Sequence, residues 1–191
     1  MIDHQRRVYD SMLGLLSNED NPTPLARLNS VTPFEHAQVY GKLEWYNPFG
    51  AIKDRVAANM ILDAEEQGIL ASDQKLVEPT SGNTGMGLAM VSNLKGYPLT
   101  TPLSSAIPLE KRTMLRFFGA DVIELEDTLC PAPGAPEGAI AKAHELADRP
   151  EFHMLDQYTN EANPGAHYKT TGPEIWRQTE GQVTHFVAGL G

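Results

Sequence analysis

Two places in this sequence gather groups able to do chemistry: a lysine beside a glycine turn, and a later loop rich in hydroxyls, amide and glycine. Lys53 follows Asn47-Pro48-Phe49-Gly50 and precedes Asp54-Arg55. That order predicts an amine at the base of a cleft, with Asp54 and Arg55 satisfying one another. An amine among cationic or desolvating neighbours gives up its proton more readily, which imine formation with an aldehyde requires. Taken alone, Lys53 reads as an ordinary solvated lysine in a first helical turn, as most lysines are.

Thr80-Ser81-Gly82-Asn83-Thr84-Gly85 is more informative. Three hydroxyls, an amide, flexible glycines and an expected helix start meet within one short stretch, and unpaired N–H groups there attract a carboxylate or phosphate. A plain N-cap followed by a turn uses the same residue types, and the loop by itself does not separate the two. Gln157, after the apolar Met154-Leu155 and beside Asp156 and Tyr158, has the place of a polar group delivered by a strand end.

Other chemistries lack their signatures. No stretch has the G-x-G-x-x-G order of a dinucleotide site, and no P-loop, H-E-x-x-H zinc pair or G-x-S-x-G elbow occurs. The histidines at positions 4, 36, 144, 153, 167 and 185 do not pair on one helical face, so each reads as a surface or packing residue and no metal is expected.

The elements that must position these groups alternate. A helical opening to about Leu16 gives way to an extended Asn21-Pro22-Thr23-Pro24, because residues before proline leave the helical region. Val39–Trp45 reads as a strand, and Val56, Met60, Ile61 and Ala64 recur at helical spacing up to Gly68, so Lys53 starts a helix. Lys75–Val77 is a short strand ahead of the glycine loop, and Met86–Val91 a buried helix after it. Further elements are a helix over Leu109–Phe118, a strand at Val122–Leu125, a helix over Glu137–Ala147 and a strand at Val183–Ala188. Tyr97–Ser105 is polar and carries Pro98 and Pro102, which predicts a short or edge strand. Thr128–Gly138, rich in Pro and Gly, reads as a loop. Alternation of this kind indicates α/β with a mainly parallel sheet.

The chain has 191 residues, 41% of them hydrophobic and 21% charged, the composition of a globular protein with a buried core. Its net charge of -10 opposes nucleic-acid binding, which needs clustered Lys and Arg. Cys130 is the only cysteine, so no intrachain disulfide forms, and a reducing cytoplasm fits. The apolar group Met12–Leu16 is too short for a signal-peptide core or a membrane span.

Four segments, taken in order, resemble the cysteine synthase (O-acetylserine sulfhydrylase) and cystathionine β-synthase family. They are Asn21-Pro22-Thr23-Pro24-Leu25, Asn47 through Arg55, Glu78 through Gly85, and Thr170-Thr171-Gly172-Pro173-Glu174-Ile175-Trp176. The resemblance runs from about Asn21 to Gly191. It implies a pyridoxal 5'-phosphate (PLP) enzyme of fold type II: α/β, two domains with mainly parallel sheets, and the cofactor in the cleft between them. Residues 1–46 would begin the larger domain, 47–157 would form the smaller mobile one, and 158–191 would return to the larger, incomplete here.

By that resemblance Lys53 is the Schiff-base lysine and general base, and Asn83 bonds the cofactor ring hydroxyl. Thr80, Ser81, Gly82, Asn83 and Thr84 receive the substrate carboxylate with help from Gln157, and Gly189 and Gly191 begin the phosphate loop. The implied reaction is β-replacement, a transferase step that makes L-cysteine from O-acetylserine or O-phosphoserine and sulfide through an aminoacrylate. A homodimer is the family's usual form. The phosphate loop stops at Gly189-Leu190-Gly191, and PLP binding should weaken, since charge-assisted hydrogen bonds of roughly 1.5–3 kcal/mol each are missing. A thiol acceptor, as in cystathionine β-synthase, a dehydratase on the same fold, and a truncated non-catalytic interaction module are the alternatives.

Overall fold

The computed structural model describes residues 8–31, 33, 36–126 and 138–189. Strands β1 (Leu25–Arg27) and β2 (Tyr40–Lys42) pair antiparallel near the start. Helix α1 (Lys53–Glu66) leads to β3 (Lys75–Val77), α2 (Asn83–Lys95), β4 (Leu99–Ser104), α3 (Leu109–Phe117) and β5 (Ala120–Leu125). Then come α4 (Gly138–Ala147), β6 (Phe152–Met154), α5 (Ala162–Ala166), a π-helical turn over His167–Thr171, and α6 (Gly172–Gln178). Strands β3 to β6 form one parallel sheet in the order β5-β4-β3-β6, the α/β architecture expected from the alternation.

The core lies where α1 and α2 meet the sheet. Val56, Met60 and Ile61 of α1, Leu88 and Val91 of α2, and Leu76 of β3 are fully buried. Gly87 sets the approach of the two helices: a Cβ there would lie 3.0 Å from the Ala57 Cβ and 3.3 Å from the Lys53 carbonyl oxygen. Gly68 at φ +69 and Gly96 at φ +85 follow α1 and α2 in the left-handed conformation that stops a helix.

Three expectations are corrected. Tyr97–Ser105 does not give a short or edge strand: β4 has six residues, all buried, and lies between β3 and β5. Backbone groups alternate sides along a strand, and the carbonyls of Pro98 and Thr100 accept from Leu76 and Glu78, on the β3 side. Pro98 and Pro102 share that parity. Because β3 ends at Val77, opposite Thr100, the missing N–H of Pro102 falls beyond the ladder and costs no hydrogen bond. Val183–Ala188 forms no strand: residues 182–189 have no regular structure, since no described strand pairs with them. The opening is not a helix as far as it is described, only a 3-10 turn over Met12–Leu15 capped by the Ser11 hydroxyl. That apolar run is too short to repay helix nucleation. Cys130 and most of the Thr128–Gly138 loop lie outside the described residues, and no described helix is long and apolar enough to cross a membrane.

A buried charge cluster joins the ends of the chain to α1. Arg55 donates to Glu174 Oε1 at 2.5 Å and Oε2 at 2.9 Å, and to Glu44 Oε2 at 2.9 Å and Oε1 at 3.0 Å. Lys42 Nζ reaches Glu174 at 2.6 Å and the Thr23 carbonyl at 2.8 Å. Burial would push the Glu44 carboxyl up, but hydrogen bonds from Arg55 and Thr23 prevail and hold it below its ordinary value. Two cations balance two anions, so removing one strands a buried charge. Glu174→Ala should lower stability by about 3–5 kcal/mol. A urea titration checks this, and a loss under about 1 kcal/mol would make the cluster incidental.

Candidate functional site

Chain direction in the sheet places a crevice. From β3 the chain steps to β4 and then β5, and β6 returns to the opposite flank of β3. The order therefore reverses between β3 and β6, and open α/β sheets bind ligands outside the carboxyl ends of strands at such a point. Here the exits of β3 and β6 are Glu78–Gly82 and Leu155–Tyr158.

These exits line a cavity of about 250 Å³. Thr80, Ser81, Gly82 and Thr84 form one wall and Gln157 with Tyr158 another; Leu103, Ser104 and Ile107 add a third. The loop is shaped by its own groups: Thr80 Oγ1 accepts from Gly85 N–H at 3.1 Å, and the Thr80 carbonyl accepts from Thr101 Oγ1 at 2.8 Å. Gly85 is required, because a Cβ would sit 2.9 Å from Thr80 Cγ2. Helix α2 begins at Asn83 with no side-chain cap. The N–H groups of Asn83 and Thr84 thus point out of the helix start without an acceptor among the described residues.

Lys53 is the first residue of α1 and is half-buried. Its carbonyl faces Gly87, one turn beyond Asn83 on α2, so the starts of both helices lie side by side. The expected Asp54–Arg55 pair does not form. Asp54 accepts from the N–H groups of Phe49 at 2.7 Å and Ala51 at 3.4 Å, which closes the turn around Gly50 (φ +87), while Arg55 is held by Glu44 and Glu174. Turn closure won because a buried carboxylate meets two backbone donors there without crossing the helix. Lys53 Nζ has no hydrogen-bond or ion-pair partner among the described residues, so its amine is free to meet a ligand.

Thus the cavity gathers Thr80, Ser81, Gly82, Thr84 and Gln157; Lys53 and the exposed Asn83 stand beside it at helix starts and do not line it. Gly189 is not brought there. It is exposed in the irregular 182–189 run, and Gly191 lies outside the described residues.

Three groups escaped the sequence reading. Glu78 is fully buried and accepts from Asp156 N–H at 2.8 Å and Gln157 N–H at 3.1 Å. His167, read as a surface or packing residue, is half-buried close enough to Lys53 for its charge to matter: burial and then Lys53 hold the imidazole below its ordinary value. Glu174 closes the charge cluster. A charged residue directly after the apolar end of a strand, as Glu78 is, was the available signal.

A family model of pyridoxal-phosphate dependent enzymes matches residues 16–191. The chain belongs to that family. Cysteine synthase B of Escherichia coli (strain K12) is 44% identical over 169 residues, 88% of this chain and 54% of the relative. Cysteine synthase A of the same organism is 46% identical over 171 residues, 88% of this chain and 50% of the relative. The chain spans about half the length of the curated relatives it matches. Among solved structures, an O-ureido-L-serine synthase aligns with a TM-score of 0.80 at 34% identity, covering 92% of this chain and 52% of that one. A hydrogen sulfide-producing enzyme from Fusobacterium nucleatum aligns at 0.78 and 34%, covering 91% and 54%. In this PLP-dependent family member the crevice between β3 and β6 is the candidate active site.

Two buried carboxyls near the site tie stability to pH. Burial pushes Asp54 from 3.8 up to about 6 and Glu78 from 4.5 up to about 7, against the backbone N–H groups that favour their ionised forms. Groups raised in the fold stabilise it fully below their unfolded values, and that contribution is lost as pH rises through about 6 and about 7. The urea midpoint should therefore fall between about pH 5 and about pH 8. Glu78→Gln should flatten the upper part of the fall; an unchanged slope there would clear Glu78 as a cause.

Proposed function

We propose that this chain carries the lysine and carboxylate-binding half of a PLP-dependent β-replacement site that makes L-cysteine from O-acetylserine or O-phosphoserine and sulfide. The observation that carries it is the convergence of Thr80, Ser81, Gly82, Thr84 and Gln157 on one cavity beside the Lys53 helix start. Relatives named cysteine synthase support this reading, as do a solved neighbour named as a synthase of an O-substituted serine and one named as a producer of hydrogen sulfide.

The residues present fit the aldehyde and ring end of PLP. Lys53 offers an unpaired amine, and Asn83, exposed at the start of α2, offers an amide for the ring hydroxyl. By the resemblance, the phosphate belongs to the loop that begins at Gly189 and Gly191. Bound PLP supplies an electron sink for charge developing at the substrate Cα. The protein's share is placement and proton transfer. N–H groups at the α2 start and the hydroxyls of Thr80 and Ser81 receive the substrate carboxylate, with Gln157 on the facing wall. Lys53 Nζ would hold the aldehyde end of PLP and, when released from it, would take the Cα proton. Acetate or phosphate would then leave Cβ, sulfide would form the new C–S bond there, and Lys53 Nζ would return its proton to Cα.

In this reading residues 47–157 form the smaller, mobile domain, which is supported by all four strands of the parallel sheet falling inside it. Residues 1–46 and 158–191 belong to the larger domain, to which the charge cluster ties α1. The working form is a cytoplasmic homodimer.

Adding PLP to the chain should produce an absorbance band near the visible edge that O-acetylserine changes and Lys53→Ala abolishes. A band that survives Lys53→Ala would overturn the role of Lys53. Ser81→Ala should raise the O-acetylserine concentration for half-change by roughly tenfold or more, the loss of one hydrogen bond to a charged group. An unchanged midpoint would remove Ser81 from the carboxylate site.

A further inference from the structure

Strands β3 and β6 pair in parallel through Val77 and Met154 and leave the sheet side by side. The ladder ends there, but one side chain continues it. Glu78, fully buried, spans the gap with both carboxylate oxygens: Oε2 accepts from Asp156 N–H at 2.8 Å and Oε1 from Gln157 N–H at 3.1 Å. The turn it holds is costly, since Asp156 has φ 51, a left-handed conformation that side chains disfavour. Gln157 and Tyr158, next in the chain, form the cavity wall facing Thr80–Gly82, and that loop starts two residues after Glu78 itself.

We propose that Glu78 is a positioning residue for the substrate-carboxylate subsite, fixing Gln157 at a set distance from the Thr80–Gly82 loop. The identity of the ligand rests on the function proposed above, whereas the staple between the strand exits does not. The two adjacent N–H donors meet two separate acceptor oxygens, which one Glu78 carboxylate supplies at once. Glutamine would turn an NH₂ group against one of the two donors. The charged group acting on Glu78 is the Asp156 carboxylate. The staple thus restrains the backbone of the residue that meets substrate.

The test uses the full chain labelled with nitrogen-15, with and without PLP, and O-acetyl-L-serine as probe. Glu78→Gln should shift the amide resonances of Asp156 and Gln157 and open them to hydrogen exchange, while Leu76 in β3 stays protected. It should also raise half-saturation by O-acetyl-L-serine roughly tenfold, a larger change than in turnover at saturation. Asp156→Gly in the same chain, which relieves the left-handed cost, should recover most of that loss. Unchanged amides in Glu78→Gln, or a fall in turnover with half-saturation unmoved, overturns the proposal. If Glu78→Gln fails to fold, the wild-type chain decides between about pH 5 and about pH 9. The two amides titrating together with the Glu78 carboxyl supports the staple, and invariant amides overturn it. A wild-type chain with no Lys53-dependent band sinks the proposed function and leaves the amide readout to judge Glu78.

Discussion

The guanidinium of Arg55 is held by two carboxylates from distant parts of the sequence, and the placement of Lys53 depends on it. Glu44 comes from the turn after β2 and Glu174 from α6, and both meet Arg55 two residues beyond Lys53. Taking four charged groups out of water is expensive, and replacing such a cluster by apolar side chains often costs nothing in stability. What an apolar cluster lacks is direction. The forked guanidinium accepts partners only in its own plane, so the first turn of α1 is fixed in rotation as well as in position. With Arg55 occupied, Asp54 is free to cap the Asn47–Ala51 turn, and Lys53 is left as the group in this triplet with no structural duty.

The same first turn is fixed from the other side by glycine. Gly87 lets α2 lie against the Lys53 carbonyl, and Gly85 lets the Thr80 loop fold back on the helix it precedes. Close approach brings two helix starts together, and that of α2 keeps the unpaired N–H groups of Asn83 and Thr84. The parallel sheet then delivers the Gln157 turn to the same end, because β6 runs beside β3 in the same direction. The site is thus a consequence of strand order, and its chemistry a consequence of the residues at the exit of each strand.

Most of the regular elements were legible in the sequence: α1 from the helical spacing of Val56, Met60, Ile61 and Ala64 ahead of Gly68, and β3 and α2 from apolar runs on either side of the polar glycine loop. The lysine and the glycine loop were legible as well, since both sit at element boundaries where polar residues interrupt apolar runs. Three kinds of fact were not. Sequence neighbours suggested an Asp54–Arg55 pair, but helix geometry sends adjacent side chains in different directions, and each found partners elsewhere. Val183–Ala188 has strand-like residues, but a strand exists only with a neighbour to pair with, and local pattern carries no information about that. Glu78 looked like part of a motif, whereas its work is set by the register of β3 on β6.

The misjudged strand β4 shows how function bends a local rule. A polar, proline-bearing stretch looked like an edge because an interior strand is expected to be apolar and fully bonded. Its polar groups are satisfied, however, by the site itself: Thr101 bonds the Thr80 carbonyl and steadies the loop, and Pro102, Leu103 and Ser104 line the cavity. Pro102 is tolerated because β3 has already turned away, and β3 turns away because Glu78 and Pro79 leave the sheet to begin the binding loop. Departure from the apolar pattern is therefore concentrated on the stretch of β4 that faces the crevice. Open α/β sheets bind ligands outside the carboxyl ends of their strands, and in β4 that end is where Pro102, Leu103 and Ser104 reach the cavity.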